Sequence, residues 1–211
     1  MTTRGRPREF DLDQALDRAL PLFWRDGYEG ASVNEIAEAM GISKPSLYAA
    51  FGDKESLYLR ALSRYGERHR ARHADILDAE PDAQKAVEAF LLSVVDAHTD
   101  PALPGGCMVV GGTTTCDGSA VPESVKQALC EALKVGETTI GERLARARRE
   151  GQLAPSVDVT ALATYFNTVL AGLSVQAKGQ ACRAVLRGVV RSAMGAWPSA
   201  PMPGVQARNR R

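Results

Sequence analysis

The stretch "GISKPSLYAAFGDKESLY", residues 41–58, decides how this chain is read. Gly41 takes a positive φ cheaply and so makes a tight turn. Ser43 is a helix N-cap, and Pro45 falls in the first helical turn, where a missing N–H costs nothing. Leu47, Ala50 and Phe51 then recur at helical spacing and give the helix one apolar face. Lys44, Ser46 and Tyr48 fall on the outward face. The residues just before, "ASVNEIAEAM", make a second short helix. Ser32 caps it with Glu35 three residues on, and Val33, Ile36, Ala37 and Met40 form its apolar side.

Two short helices joined by "MGIS" fit a helix-turn-helix, whose second helix meets base edges in the major groove. Such a helix needs small or polar residues at the groove and cations or hydroxyls at phosphates. Ser43, Lys44, Ser46 and Tyr48 are the candidates. Lys54 begins the next helix, where a phosphate meets an ammonium and free backbone amides together, and Ser32 holds the equivalent place one helix earlier. Arg4, Arg6 and Arg8 form an arm suited to an adjacent minor groove. Bulk charge gives no support: residues 1–58 hold seven cations against ten carboxylates. Everything rests on where those few cations sit.

At these residues the chain resembles the TetR family of bacterial transcriptional regulators. The resemblance runs from about residue 10 to residue 58. It is carried by "ALDRALPLFWRDGYEGASVNEIAEAMGIS" and "KPSLYAAFGDKESLY". Phe23, Gly27 and Tyr28 match its first helix. Ser32, Val33, Ile36 and Ala37 match its second, and Gly41, Ile42 and Ser43 its turn. Leu47, Tyr48 and Phe51, then Lys54, Glu55 and Leu57, complete the pattern. Pro21 and Trp24 depart from it. The resemblance implies an all-α fold: an N-terminal three-helix DNA-binding domain, then a C-terminal helical domain that binds a small effector and dimerises through its last two helices. It also implies that Lys44, Pro45, Ser46, Tyr48 and Lys54 touch operator DNA.

The remaining sequence is read from its own patterns. The DNA-binding domain is expected over residues 1–58, a ligand-binding and dimerisation domain over 59–197, and a disordered tail over 198–211. Asp11 caps a first helix that Pro21 bends and Gly27 and Gly30 end. A long helix follows over about 53–79, and "AQKAVEAFLLSVVDAH" makes the next. "TDPALPGGCMVVGGTTTCDGSAVP" reads as irregular, with "GGTTTCDGS" an ordinary turn; only Cys107 stands where a turn opens into a helix at Met108. Helices then resume over about 122–151, 158–178 and 180–197. In the last, Cys182, Val185, Leu186, Val189, Val190, Ala193, Met194 and Trp197 form an apolar stripe, expected to be the homodimer interface.

An apolar effector pocket is expected from Phe90, Val94, Leu129, Leu133, Tyr165 and Phe166, with Tyr165, Asn167 or Thr138 orienting the ligand. Gly136 and Gly141 inside a helix imply close packing. His69 and His73, four apart, are expected on a solvated basic face rather than at a metal.

The chain has four cysteines: Cys107, Cys116, Cys130 and Cys182. Their spacing suits no zinc site, and no cofactor is implied. Cys107 and Cys116 are candidate redox thiols, nine residues apart in an expected loop; Cys130 and Cys182 are expected inert on apolar stripes. A cysteine-based redox or electrophile sensor is therefore the alternative reading. A cysteine-nucleophile enzyme is the rival from another class, but neither thiol has an evident histidine–carboxylate partner. With no apolar run of membrane-spanning length and no signal peptide, the cytoplasm is the expected compartment.

Overall fold

In the computed structural model, residues 11–118 and 120–198 are described. The arm bearing Arg4, Arg6 and Arg8, and the tail from residue 199, lie outside them. Nine α-helices and no strand occur among the described residues, so the fold is all-α. They are α1 Leu12–Gly30, α2 Val33–Met40, α3 Lys44–Phe51, α4 Lys54–Ala79, α5 Ala83–His98, α6 Met108–Thr114, α7 Glu123–Arg149, α8 Val159–Lys178 and α9 Arg183–Met194.

The caps sit where local chemistry puts them. Asp11, Ser32, Ser43, Asp53, Asp82 and Asp158 each accept a backbone N–H at the start of their helix. Gly41 ends α2 at φ 71°, as the turn requires. In α1 the helical geometry is interrupted at Gly27, at φ 70° and ψ −170°.

Two apolar clusters form the interior. The first joins α1–α3 and the start of α4 to Met108, Val109, Val121, Val125 and Leu129. The second joins the end of α4 to α5, α8, α9 and the second half of α7. The DNA-reading head thus packs directly on α6 and α7. Asp17 of α1 ties the head to the middle of α4. Arg64 grips both its oxygens, Arg68 lies 2.5 Å away, and Arg64 also reaches Asp13 at 3.1 Å. The Arg64 hydrogen bond, first among the causes, holds the Asp17 carboxyl below its usual range.

Several expectations change here. The "GGTTTCDGS" segment is no ordinary turn, because its first residues belong to α6. Of the two glycines in α6, Gly112 serves close packing: a Cβ there would stand 2.6 Å from Leu129 Cδ2. Threonine hydroxyls bond back onto the helix, Thr113 to the carbonyls of Val109 and Val110 at 3.1 and 2.9 Å. With α6 between them, Cys107 and Cys116 are separated by about 13 Å of mostly helical rise, too far for a disulfide unless the helix unwinds. Cys130 and Cys182 are exposed rather than held in apolar stripes, Cys182 because it is the α9 N-cap. The last helix is shorter than the expected 180–197.

The α9 stripe also divides. Leu186, Val190, Ala193 and Met194 are buried within the subunit, where α9 packs on α5 and α8. Val185 and Val189 remain 59% and 43% exposed. Gly136 behaves as expected: a Cβ there would meet Asn167 Oδ1 at 2.5 Å, so α7 and α8 touch closely.

Candidate DNA interface and effector cavity

The helix expected to read DNA is α3. Leu47, Ala50 and Phe51 are buried beneath it, and Lys44, Pro45 and Tyr48 are exposed, Tyr48 by 46%. Ser43 Oγ accepts from Ser46 N at 3.3 Å and lies 2.9 Å from Ser46 Oγ, so both hydroxyls are committed to capping while remaining at the surface. Ser32 Oγ likewise accepts from Asn34 N at 3.2 Å. Lys54 is braced: its ammonium donates to the Glu29 carbonyl at 3.3 Å and lies 4.9 Å from the Tyr28 ring centroid. Desolvation lowers its pKa.

A cavity of about 360 Å³ lies against the continuation of α4. Leu59, Leu62, Tyr65, Gly66, His69 and His73 line one side, recurring every three or four residues on one helical face. Phe90, Val94 and His98 of α5, Cys107, Val109 and Val110 around α6, Leu133 and Gly136 of α7, and Asn167 and Leu170 of α8 complete the wall. Of the six residues expected around an effector, Phe90, Val94 and Leu133 line this cavity. Leu129 packs into the first apolar cluster, Phe166 is buried in the second, and Tyr165 is half-exposed with its hydroxyl 3.5 Å from the Ala193 carbonyl. Asn167 faces the cavity as expected for an orienting group. Thr138 lines a different surface depression.

The polar wall is the part the sequence reading missed. His69 and His73 are not on a solvated face; they are half-buried against the cavity, the Tyr65 and His69 rings lie tilted with centroids 4.2 Å apart, and His73 meets Phe90 edge-on at 4.9 Å. Trp24, the α1 residue that departs from the family pattern, lies edge-on to both Tyr65 and His69, at 5.0 and 6.0 Å. The cavity wall therefore touches the DNA-reading head through an aromatic side chain. His98 is buried, with Nδ1 3.2 Å from Ser174 Oγ. The Ser174 hydroxyl donates to the Leu170 carbonyl at 2.9 Å, so His98 Nδ1–H donates to Ser174 and Nε2 is left as an acceptor.

Burial keeps these imidazoles neutral. It pushes His73 down to about 4 and His98 down to about 3, with neighbouring His69 adding to both, and lowers His69 as well. No group of three or more histidine, cysteine or carboxylate residues suited to a metal occurs among the described residues. Tyr65 donates from its hydroxyl to Cys107 Sγ at 3.4 Å, and burial, with Cys107 second, raises the phenol well above its usual range.

A pH prediction follows from the histidines. The unfolded chain protonates near pH 6.5, before the folded one, so stability is full above that pH and falls toward pH 4. Between pH 7 and pH 5 the loss is up to about 2 kcal/mol for each of His73 and His98. Thermal melts at the two pH values check this. A His98→Gln variant should lose about half of the pH sensitivity; an unchanged slope contradicts the assignment.

The fold and this surface define a helix-turn-helix DNA-binding regulator with a partly open cavity behind its reading head. Two family models match. One, "Bacterial regulatory proteins, tetR family", spans residues 15–61, and the other, "Tetracyclin repressor-like, C-terminal domain", spans residues 83–193. The chain belongs to the TetR family of transcriptional regulators. The HTH-type transcriptional repressor ComR of Escherichia coli is 33% identical over 199 residues, 93% of each chain. The repressor BdcR of the same species is 35% identical over 174 residues, 82% of each. A cysteine mutant of the TetR family regulator CifR, solved with 26-bp double-strand operator DNA, matches with a TM-score of 0.87. It is 44% identical, covering 92% of this chain and all of that one. Among the described residues no helix is long and apolar enough to cross a membrane.

Proposed function

We propose that the protein is a cytoplasmic repressor that binds palindromic operator DNA as a homodimer and is released by a small, mainly apolar effector. The observation that carries this reading is the continuity of α4. Its N-terminus supports the recognition helix, and its next turns line the cavity. A ligand that favours one position of α4 alters the placement of α3. Effector and operator then weaken each other by the same factor. The cavity wall supports an uncharged ligand with a hydrogen-bonding head: aliphatic side chains dominate, the imidazoles are neutral, and the charged Arg70 and Glu131 are exposed at its edge.

The test pairs two measurements. A thermal-shift screen should find stabilisers among uncharged, largely apolar compounds. Those compounds should lower affinity for DNA selected by the protein, in a salt-dependent mobility shift. Stabilisation by hydrophilic ions alone contradicts the reading. The alternative, a cysteine-based sensor, is favoured by Cys107, whose thiol faces the cavity within 3.4 Å of the Tyr65 hydroxyl. Dependence of release on Cys107 separates the two.

A further inference from the structure

Phe90, Val94 and His98 recur four apart on α5 and line the main cavity together. His98 is only 6% exposed. Its imidazole lies close enough to His69 and His73 for each to disfavour its charging, and those two line the same cavity. Nδ1 gives its hydrogen to Ser174 on α8, whose own hydrogen goes to the Leu170 carbonyl. Nε2 therefore carries a lone pair and no hydrogen, and with Nδ1 turned to α8 it is the nitrogen left for the cavity. Burial, with His69 and His73 adding, pushes the group down to about 3, so that lone pair is available at neutral pH. His69, His73 and Asn167 differ. Each can donate or accept, so none of them dictates the sense of a ligand's hydrogen bond.

A buried acceptor selects its partner. A ligand that brings a donor satisfies Nε2; one that brings only an acceptor opposes two lone pairs and leaves the imidazole unmet. Ketones, ethers and esters are therefore poor heads for this site. An ionised carboxylate is worse, since its charge faces the same lone pair. An ammonium can donate, but Glu131 is exposed at the rim, and a cation inside would be buried without a partner. Water serves Nε2 while the cavity is wet. A hydroxyl that displaces this water reproduces its bond, and an ether does not.

The wall also limits the body of the ligand. On the α4–α5 side the rings of Tyr65, His69, His73 and Phe90 follow one another, with centroids 4.2, 5.8 and 4.9 Å apart. Their edges and faces suit a further ring. At about 360 Å³ the cavity is at the small end of ligand sites, roughly 300–1,000 Å³, and fits one ring with a short chain. We infer that the cavity takes a phenol-type ligand, one uncharged aromatic ring with a short apolar chain, whose hydroxyl donates to His98 Nε2. Ser174 is the positioning residue: it holds the hydrogen on Nδ1 and so fixes the sense of the bond. That such a ligand is the effector rests on the release reading above.

The full chain is titrated, without DNA, with 4-alkylphenols of graded chain length and with the matching 4-alkylanisoles, and binding is read by calorimetry. Each pair differs only in the donor. A phenol should bind about tenfold or more tighter than its methyl ether, a difference of 1.4 kcal/mol or greater. In His98→Phe, which keeps a ring and removes the acceptor, the pair should bind within about twofold of each other. Ser174→Ala is the milder variant, removing one hydroxyl and freeing the imidazole to carry its hydrogen on Nε2. It should narrow the preference too, whether or not His98→Phe folds. Equal binding of phenol and ether by the native chain, a preference that survives in Ser174→Ala and His98→Phe, or no binding of either series overturns the inference. Operator affinity is then measured with the phenol bound. Unchanged affinity ends the effector-release reading by itself and leaves the His98 assignment standing.

Discussion

Val185→Glu with Val189→Glu should turn a dimer into a folded monomer and abolish operator retention. These two valines are the exposed apolar residues of α9, and Val175 on α8 is 50% exposed. Such side chains on the last two helices are the surface from which a two-fold interface would be built. Two buried glutamates without partners cost several kcal/mol, enough to separate subunits of ordinary affinity. The choice of positions matters. Val190 is fully buried and packs in the second apolar cluster. A glutamate there unfolds the subunit and says nothing about assembly. Light scattering reads the mass, and the melting temperature shows whether the fold survives. A double variant that stays dimeric would exclude this surface. One that is monomeric yet still retains palindromic DNA with full affinity would exclude the dimeric mode of binding.

Helix α3 was legible because its signals are local. Ser43, Pro45, Leu47 and Phe51 sit within nine residues, and caps and periodicity operate at that range. Helix α6 was not, because its composition answers to distant neighbours. Gly112 is required by Leu129, which lies seventeen positions further along the chain. Read locally, a run of glycine and threonine says turn; packed against α7, it is a helix whose backbone approaches closely.

The cavity shows the same division. Phe90, Val94 and Leu133 announced themselves as apolar residues at helical spacing. Tyr65, His69 and His73 lay in the basic run "RYGERHRARH", and the arginines set its apparent character. Yet Tyr65, His69 and His73 are spaced four and four, and that stripe was a signal for one face. Arg64 and Arg68 take another face and turn to Asp17, while Arg70 reaches only the cavity's exposed edge. Leu129 and Phe166 were misplaced for a related reason. Periodicity identifies the inward face of a helix but does not say which of two apolar clusters that face enters.

Lys44→Ala and Tyr48→Ala together should weaken specific operator binding by about 2–6 kcal/mol, taking about 1–3 kcal/mol for each side chain withdrawn from a base edge or a close phosphate. Both side chains are exposed, and the apolar residues that hold α3 are untouched. Stability should therefore change by no more than about 0.5 kcal/mol. Lys54→Ala provides the contrast. Its ammonium already holds the Glu29 carbonyl, and that grip fixes the end of α1 against the start of α4. Removing it should weaken all DNA sequences alike and reduce the salt slope by about one if the ammonium also meets a phosphate. It should also cost about 1 kcal/mol of stability, because the brace is gone. Mobility shifts at several salt concentrations, run beside thermal melts, separate the two behaviours. Should Lys44→Ala and Tyr48→Ala leave specific affinity intact while Lys54→Ala removes it, the groove-reading surface lies at the start of α4 and not on α3.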